Sequence, residues 1–304
     1  MKNLIGTLCA FLMLALLLTA CRDDDESQSE VPTPEEFQSL RQTALDNITQ
    51  TFELDFSTGA NSFTSEQGVE LYVYSCTDAS GNQSTGFTDV DLKFMEIFDR
   101  GTMLVTNRPT VGISPSGEEG ILISGGEFFL DATQNGAQLD ACAINATIPT
   151  DLTGGVDFNM SLWTGNIDAD GDLTWVADTT SGIEMDTSAY FVFTDEFGWI
   201  NCDVFWDDPR PRTAVTVETP TDYDETNSAV YFSIVGETSG LGRAGGQFPI
   251  GQEAHFIFAT AEDDDWRYAV QAVTISEDEI VTFNLDDTTV VTESELIDII
   301  NALP

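Results

Sequence analysis

Hydrophobic and polar positions change their rhythm along this chain. Across residues 4–18 apolar side chains run almost unbroken, a stretch shorter than the about 20 residues a membrane-spanning helix needs. Between residues 33 and 48 the apolar positions recur at helical spacing, with Phe37, Leu40, Leu45 and Ile48 on one broad side of a helix running through about Asn47. Thr33-Pro34-Glu35-Glu36 opens that segment with an N-cap, a proline at the first helical position and acids in the first turn. From Thr51 the period drops to two: Phe52, Leu54 and Phe56 alternate with polar residues, as do Val69, Leu71 and Val73. Such alternation predicts half-buried strands. The last residues return to helical spacing. Thr292-Glu293-Ser294-Glu295 forms a capping box ahead of Leu296, Ile297, Ile299, Ile300 and Leu303, and Pro304 ends the segment.

Further strands are predicted at 90–97, 103–105, 121–123, 128–130 and 139–144, with turn clusters such as 57–61 and 78–82 between strands. The best domain boundary is Ile148-Pro149-Thr150-Asp151 with Gly154-Gly155. Beyond it strands are predicted at 156–163, 173–176, 189–193, 199–205, 214–217, 229–235, 254–259, 266–275 and 280–285. Many short strands without helical crossovers argue against a parallel sheet. The expectation is an all-β chain of two tandem antiparallel β-sandwich-like domains. The first spans 34–150 and includes a short N-terminal helix; the second spans 151–304 and ends in a short helix.

The N-terminal run changes the picture from fold to location. Lys2 precedes the apolar stretch, and Leu18-Thr19-Ala20-Cys21 closes it. This segment resembles a bacterial lipobox. The resemblance implies a signal peptide over 1–20, cleavage before Cys21, and lipidation of the Cys21 thiol and the new amino terminus. Several acyl chains anchor stably where one binds only marginally. Arg22 followed by Asp23, Asp24, Asp25 and Glu26 resembles the acidic export signal of surface lipoproteins in Bacteroidota. That implies outer-membrane placement, facing the exterior. Residues 21–33 read as a lipid-anchored acidic stalk reaching roughly 40 Å when extended.

A second resemblance rests on Leu92-Lys93-Phe94-Met95-Glu96-Ile97-Phe98, Asn107-Arg108-Pro109-Thr110 and Gly125-Gly126-Glu127-Phe128-Phe129-Leu130. Across residues 50–145 the chain is similar to the N-terminal β-sandwich of uncharacterised Bacteroidota lipoproteins, and distantly to ZU5-like sandwiches. Those landmarks are glycines and aromatics, so the resemblance implies fold and location, and no site.

Charge then narrows the partners. The chain has 53 acids against 10 basic residues, a formal net charge of −43. Cleavage before Cys21 removes Lys2 and leaves −44. This excludes nucleic acid and anionic headgroups as favoured partners; the lipid anchor supplies the membrane contact, and an unidentified protein or glycan is the expected partner. Cys76, Cys142 and Cys202 remain after processing. At most one bridge forms within the chain, and Cys76 with Cys142 is the expected pair because both fall in the first domain. With one histidine in the chain, the cysteines do not form a zinc pattern.

Candidate chemistry is sparse. Asn166, Asp168, Asp170, Gly171 and Asp172 fit the start of an EF-hand loop, but Ala177 stands where the bidentate Glu belongs. A hairpin turn and a weak calcium site are the two readings, the turn favoured. Asp263, Asp264 and Asp265 after Glu262 offer a second set of calcium oxygens or a solvated loop; no other cofactor is expected. His255 sits mid-strand with no nucleophile motif, and Cys202 reads as an inert strand cysteine. All five tryptophans, at 163, 175, 199, 206 and 266, lie in the second domain; core packing and sugar stacking both use such rings. The sequence points to a non-catalytic surface protein presenting binding or structural modules. The alternatives are a glycan- or calcium-binding accessory protein and, less supported, an extracellular hydrolase.

Overall fold

A computed structural model describes residues 30–304, apart from 84, 85, 115, 116, 118, 170, 180 and 181. Residues 1–29, over which the sequence predicts a signal peptide, the lipidated Cys21 and most of the stalk, lie outside the described residues. The first element is helix α1 (Pro34–Asn47), capped as its opening dictates: the Glu36 amide donates to Thr33 Oγ1, and the Thr33 amide donates back to the Glu36 carboxylate.

The chain continues through β1 (Gln50–Leu54), β2 (Asn61–Thr64), β3 (Glu70–Asp78), β4 (Val90–Ile97), α2 (Arg100–Val105), β5 (Val111–Ile113), β6 (Glu119–Gln134) and β7 (Ala137–Pro149). Next come β8 (Ser161–Ile167), β9 (Leu173–Ala177), β10 (Ile183–Met185), β11 (Ala189–Thr194) and β12 (Gly198–Phe205). The last elements are β13 (Arg212–Glu218), β14 (Ser228–Ile234), β15 (Gly242–Arg243), β16 (Gln247–Pro249), β17 (Glu253–Glu262), β18 (Asp265–Thr274), β19 (Glu279–Thr282), β20 (Thr289–Val291) and α3 (Glu293–Asn301).

The architecture is all-β and sandwich-like. Strands β2-β3-β7-β11-β10 form one antiparallel sheet. Strands β1-β4-β6-β12-β8-β9-β5 form the sheet facing it. The long β6–β7 hairpin belongs to both, turning at Asn135-Gly136 where both residues hold positive φ. Val69, Leu71, Val73 and Ile144 from one sheet meet Leu92, Phe94, Phe128 and Leu130 from the other in a shared core. Strand β5 also pairs with β6, so β5-β6-β12-β8-β9 closes a hydrogen-bonded circuit.

A second pair of sheets follows, β15-β14-β17-β18-β20 against β16-β13-β19. Phe232, Phe248, Phe256, Phe258, Val281 and Phe283 fill the space between them. All three helices lie in the layer joining the two pairs, where Phe37, Met103, Leu104, Leu296 and Ile300 pack with Tyr231, Ile257 and Trp266.

Two sequence expectations change. Residues 103–105, expected as a strand, belong to helix α2: Asp99 caps it by accepting from the Thr102 amide, and all six residues are buried. A short apolar run buried on every side carries no period to separate strand from helix. Residues 161–205, assigned by the sequence to a second domain, add β8, β9, β10, β11 and β12 to the first sandwich. The Pro-Thr and Gly-Gly signals near 150 mark a 3-10 turn over Thr150–Thr153 with Gly154 left-handed at its end. The chain then returns to the sheets it left, and residues 32–304 group as one compact unit.

Candidate functional site

Of the acids singled out for calcium, Asp168 and Asp172 are held by protein partners. Asn166 pairs with Thr174 in the β8–β9 ladder. Asp168 accepts from the Asp172 amide at 2.9 Å, closing the turn with Gly171 at φ +85°. Asp170 lies outside the described residues. The Asp172 carboxylate forms an ion pair with Arg243 at 2.9 Å and accepts from Asn107 Nδ2 at 3.0 Å. Asn107 Oδ1 in turn accepts from Tyr231 Oη, which accepts from Arg41. Asp172 therefore ties the hairpin to α1, to the end of α2 and to β14. Asp263 and Asp264 form the turn of the β17–β18 hairpin, with Asp263 at φ +54°; Glu262 and Asp265 face each other, and Glu262 pairs with Arg267. Among the described residues, no group of three or more His, Cys, Asp or Glu is placed to hold a metal ion.

The nucleophile candidates are buried. Cys76 and Cys142 face each other across β3 and β7 and form a disulfide. Cys202 is free and buried; burial, then the neighbouring Asp203, pushes its thiol well above the usual range, which suppresses the thiolate. His255 lies inside β17 opposite Ser233 and Ala272. Burial, then the charge of Arg100, lowers its pKa and keeps the ring neutral. Its Nδ1 meets no partner among the described residues.

The tryptophans divide in an informative way. Trp163, Trp175, Trp199 and Trp266 are buried in the layer joining the sandwiches. Trp206 alone is half-buried. Aromatic rings open to solvent lie instead on β3 and β11, where Tyr72 is 43%, Tyr74 51% and Phe193 47% exposed, and in the loop before β8, where Phe158 is 63% exposed.

Alternation puts those rings there. Val69, Leu71 and Val73 point into the core, so Tyr72 stands on the other side of the same strand. Its cross-strand neighbours are Ser62 on β2 and Asn145 on β7, and Phe193 follows Asn145 on β11. The next row holds Thr64, Glu70, Thr147 and Phe191. A shallow groove of about 630 Å³ runs over this face, lined by Tyr72 and Tyr74 together with Asn145, Thr147, Ser62 and Thr64. The two tyrosine rings are 4.6 Å apart and inclined at 62°, forming a corner rather than one flat platform. The sequence reading missed these residues, although the pattern Val69-Glu70-Leu71-Tyr72-Val73-Tyr74 held the signal. Compared with known proteins, the chain matches no protein-family model and no curated sequence.

Proposed function

We propose that this chain is a non-catalytic protein anchored in the outer membrane through lipid on Cys21 and facing the exterior. There it binds glycan over the β2-β3-β7-β11 face. The observation that carries the reading is the exposed Tyr72–Tyr74 corner set among side-chain amides and hydroxyls. Aromatic faces take the CH surfaces of a sugar, while Asn145, Thr147, Ser62 and Thr64 offer hydrogen bonds to its hydroxyls. A chain of net charge −43 repels polyanions, so the fitting glycan is neutral.

Two experiments test the reading. Cys21→Ala should move the protein from the membrane fraction to the soluble envelope, and continued anchoring would refute the lipid attachment. Binding of neutral soluble polysaccharides, followed by affinity electrophoresis, should fall at least about tenfold in Tyr72→Ala/Tyr74→Ala, the effect of about 1.4 kcal/mol. Equal retardation of the variant and the parent chain would rule out this face.

A further inference from the structure

A second concavity lies away from the tyrosine face, where β5 and β6 meet the second sandwich. It encloses about 210 Å³ and is lined by Trp206, Arg212 and the turn connecting β15 to β16. Its floor is aromatic. Phe232 and Phe248 line it and meet edge to face at 4.7 Å. Gly242 stands opposite Phe232, and a Cβ there would fall 2.1 Å from the ring, so glycine lets the ring lie flat along the strand. The volume is below the about 300–1,000 Å³ of drug-sized sites, which suits a ligand of one or two fused rings.

The charges in and around the cleft are unequal in their commitments. Arg243 is taken by Asp172, and Arg210 by Asp208 and Gln252. Arg212 is exposed, and its one described side-chain hydrogen bond runs from a terminal nitrogen to the Gln247 carbonyl at 3.1 Å. No ion pair includes it among the described residues, in a chain with five acids for every basic residue. Asp208 senses its charge but is already held by Arg210. Glu119 is the acid lining the same cleft, and no described ion pair links it to Arg212. A guanidinium with free donors over an apolar floor selects for a planar anion attached to an apolar body.

We infer that this cleft binds a small monocarboxylate with an aromatic or alicyclic body, its rings on Phe232, Phe248 and Trp206 and its carboxylate on Arg212. The inference is independent of glycan binding, because none of these residues lies on the tyrosine face.

The test uses the mature chain and two probes, 2-naphthoate and its neutral counterpart 2-naphthylmethanol, in isothermal titration calorimetry. Naphthoate should bind about tenfold tighter than the alcohol, one charge-assisted pair's worth. Arg212→Gln should abolish that advantage and leave the alcohol unaffected, and Glu119→Gln should strengthen naphthoate binding. Ala244→Leu, which narrows the cleft, should weaken both probes, whereas Tyr72→Ala should change neither. Equal affinity for the two probes, or an unchanged preference in Arg212→Gln, would overturn the assignment. So would failure of both probes to bind, or binding unaffected by Ala244→Leu.

Discussion

Glu127 and Asp203 are fully buried on the neighbouring strands β6 and β12, and each holds carboxylate oxygen that meets no donor among the described residues. Glu96, two per cent exposed on β4, shows the contrast: its oxygens accept from Ser65 Oγ, Gln50 Nε2 and the Gln67 amide. Burial, then the charge of Asp203, pushes Glu127 well above the ordinary carboxylate range, with Arg108 opposing. Arg108 does not bond it; its described hydrogen bonds go to the Asn107 and Gly171 carbonyls, and it lies over the Trp199 ring.

That relationship gives stability a pH dependence. An acid whose folded pKa is raised contributes fully below its unfolded pKa, about 4.3 for Glu. The contribution is lost as pH rises through the folded value. Glu127→Gln should therefore be more stable than the parent at neutral pH, with a flatter decline above about pH 4. Urea unfolding at several pH values checks this, and the difference between the two chains cancels the general repulsion of the acidic surface. A variant less stable at neutral pH would mean that a charged Glu127 serves Arg108.

The disulfide should matter thermodynamically. Cys76 and Cys142 are 66 residues apart in sequence and join β3 to β7 within the first core. In the chain-entropy model a closed loop of that length stabilises by about 4 kcal/mol. Cys76→Ala/Cys142→Ala should lower the unfolding free energy by roughly 2–5 kcal/mol, read by chemical denaturation. Non-reducing mass spectrometry of the parent chain should show the linked peptide.

How much of this was legible follows from the range of the interactions. The caps at Thr33 and Thr292 depend on residues three positions apart, and both helices begin where the sequence places them. Inward positions on β3 were legible from alternation, and the same alternation placed Tyr72 outside. By contrast, nothing local distinguishes Val111 beside Trp175's strand from any other short apolar segment; the β5–β9 pairing is parallel and long-range. The cleft at Arg212 depends on β15 and β16, of two and three residues, too short to leave a period. Trp163 and Trp206 are the same residue type, one buried and the other half-buried against the second core, which only packing decides.

Calcium should have little specific effect. A ligand that binds the folded state alone raises the melting temperature, but Asp172 is committed to Arg243 and Asn107, and Asp168 to the Asp172 amide. Millimolar calcium should shift the melting temperature no more than magnesium at equal ionic strength. A larger, chelator-reversible shift would require a site with other ligands, and Asp168→Asn and Asp264→Asn would locate it.

Helices α2 and α3 meet backbone to backbone at Gly101. A Cβ on this residue would lie 2.5 Å from the Ile297 carbonyl oxygen and 2.6 Å from its Cα, both backbone atoms of α3. The contact is reinforced by side chains: the Gly101 amide donates to Asn301 Oδ1 at 2.9 Å, Asn301 Nδ2 donates to Asp99 at 2.7 Å, and Arg100 donates to the Leu303 carbonyl at 2.7 Å. The N-terminus of α2 and the C-terminal end of α3 thus satisfy each other. Gly101→Ala cannot be absorbed by a side-chain rotation and must push the helices apart. Overpacking of this kind costs about 1–3 kcal/mol, and the lost hydrogen bonds add to it. Amide exchange over Glu293–Asn301 should quicken in the variant, together with a lower melting temperature. Asn301→Ala, which removes two hydrogen bonds and no backbone contact, should cost about 1–3 kcal/mol at most and leave α3 docked. If Gly101→Ala were as stable as the parent, α2 and α3 would not touch as the structure places them, and the C-terminal helix would be a loose appendage rather than part of the layer between the sandwiches.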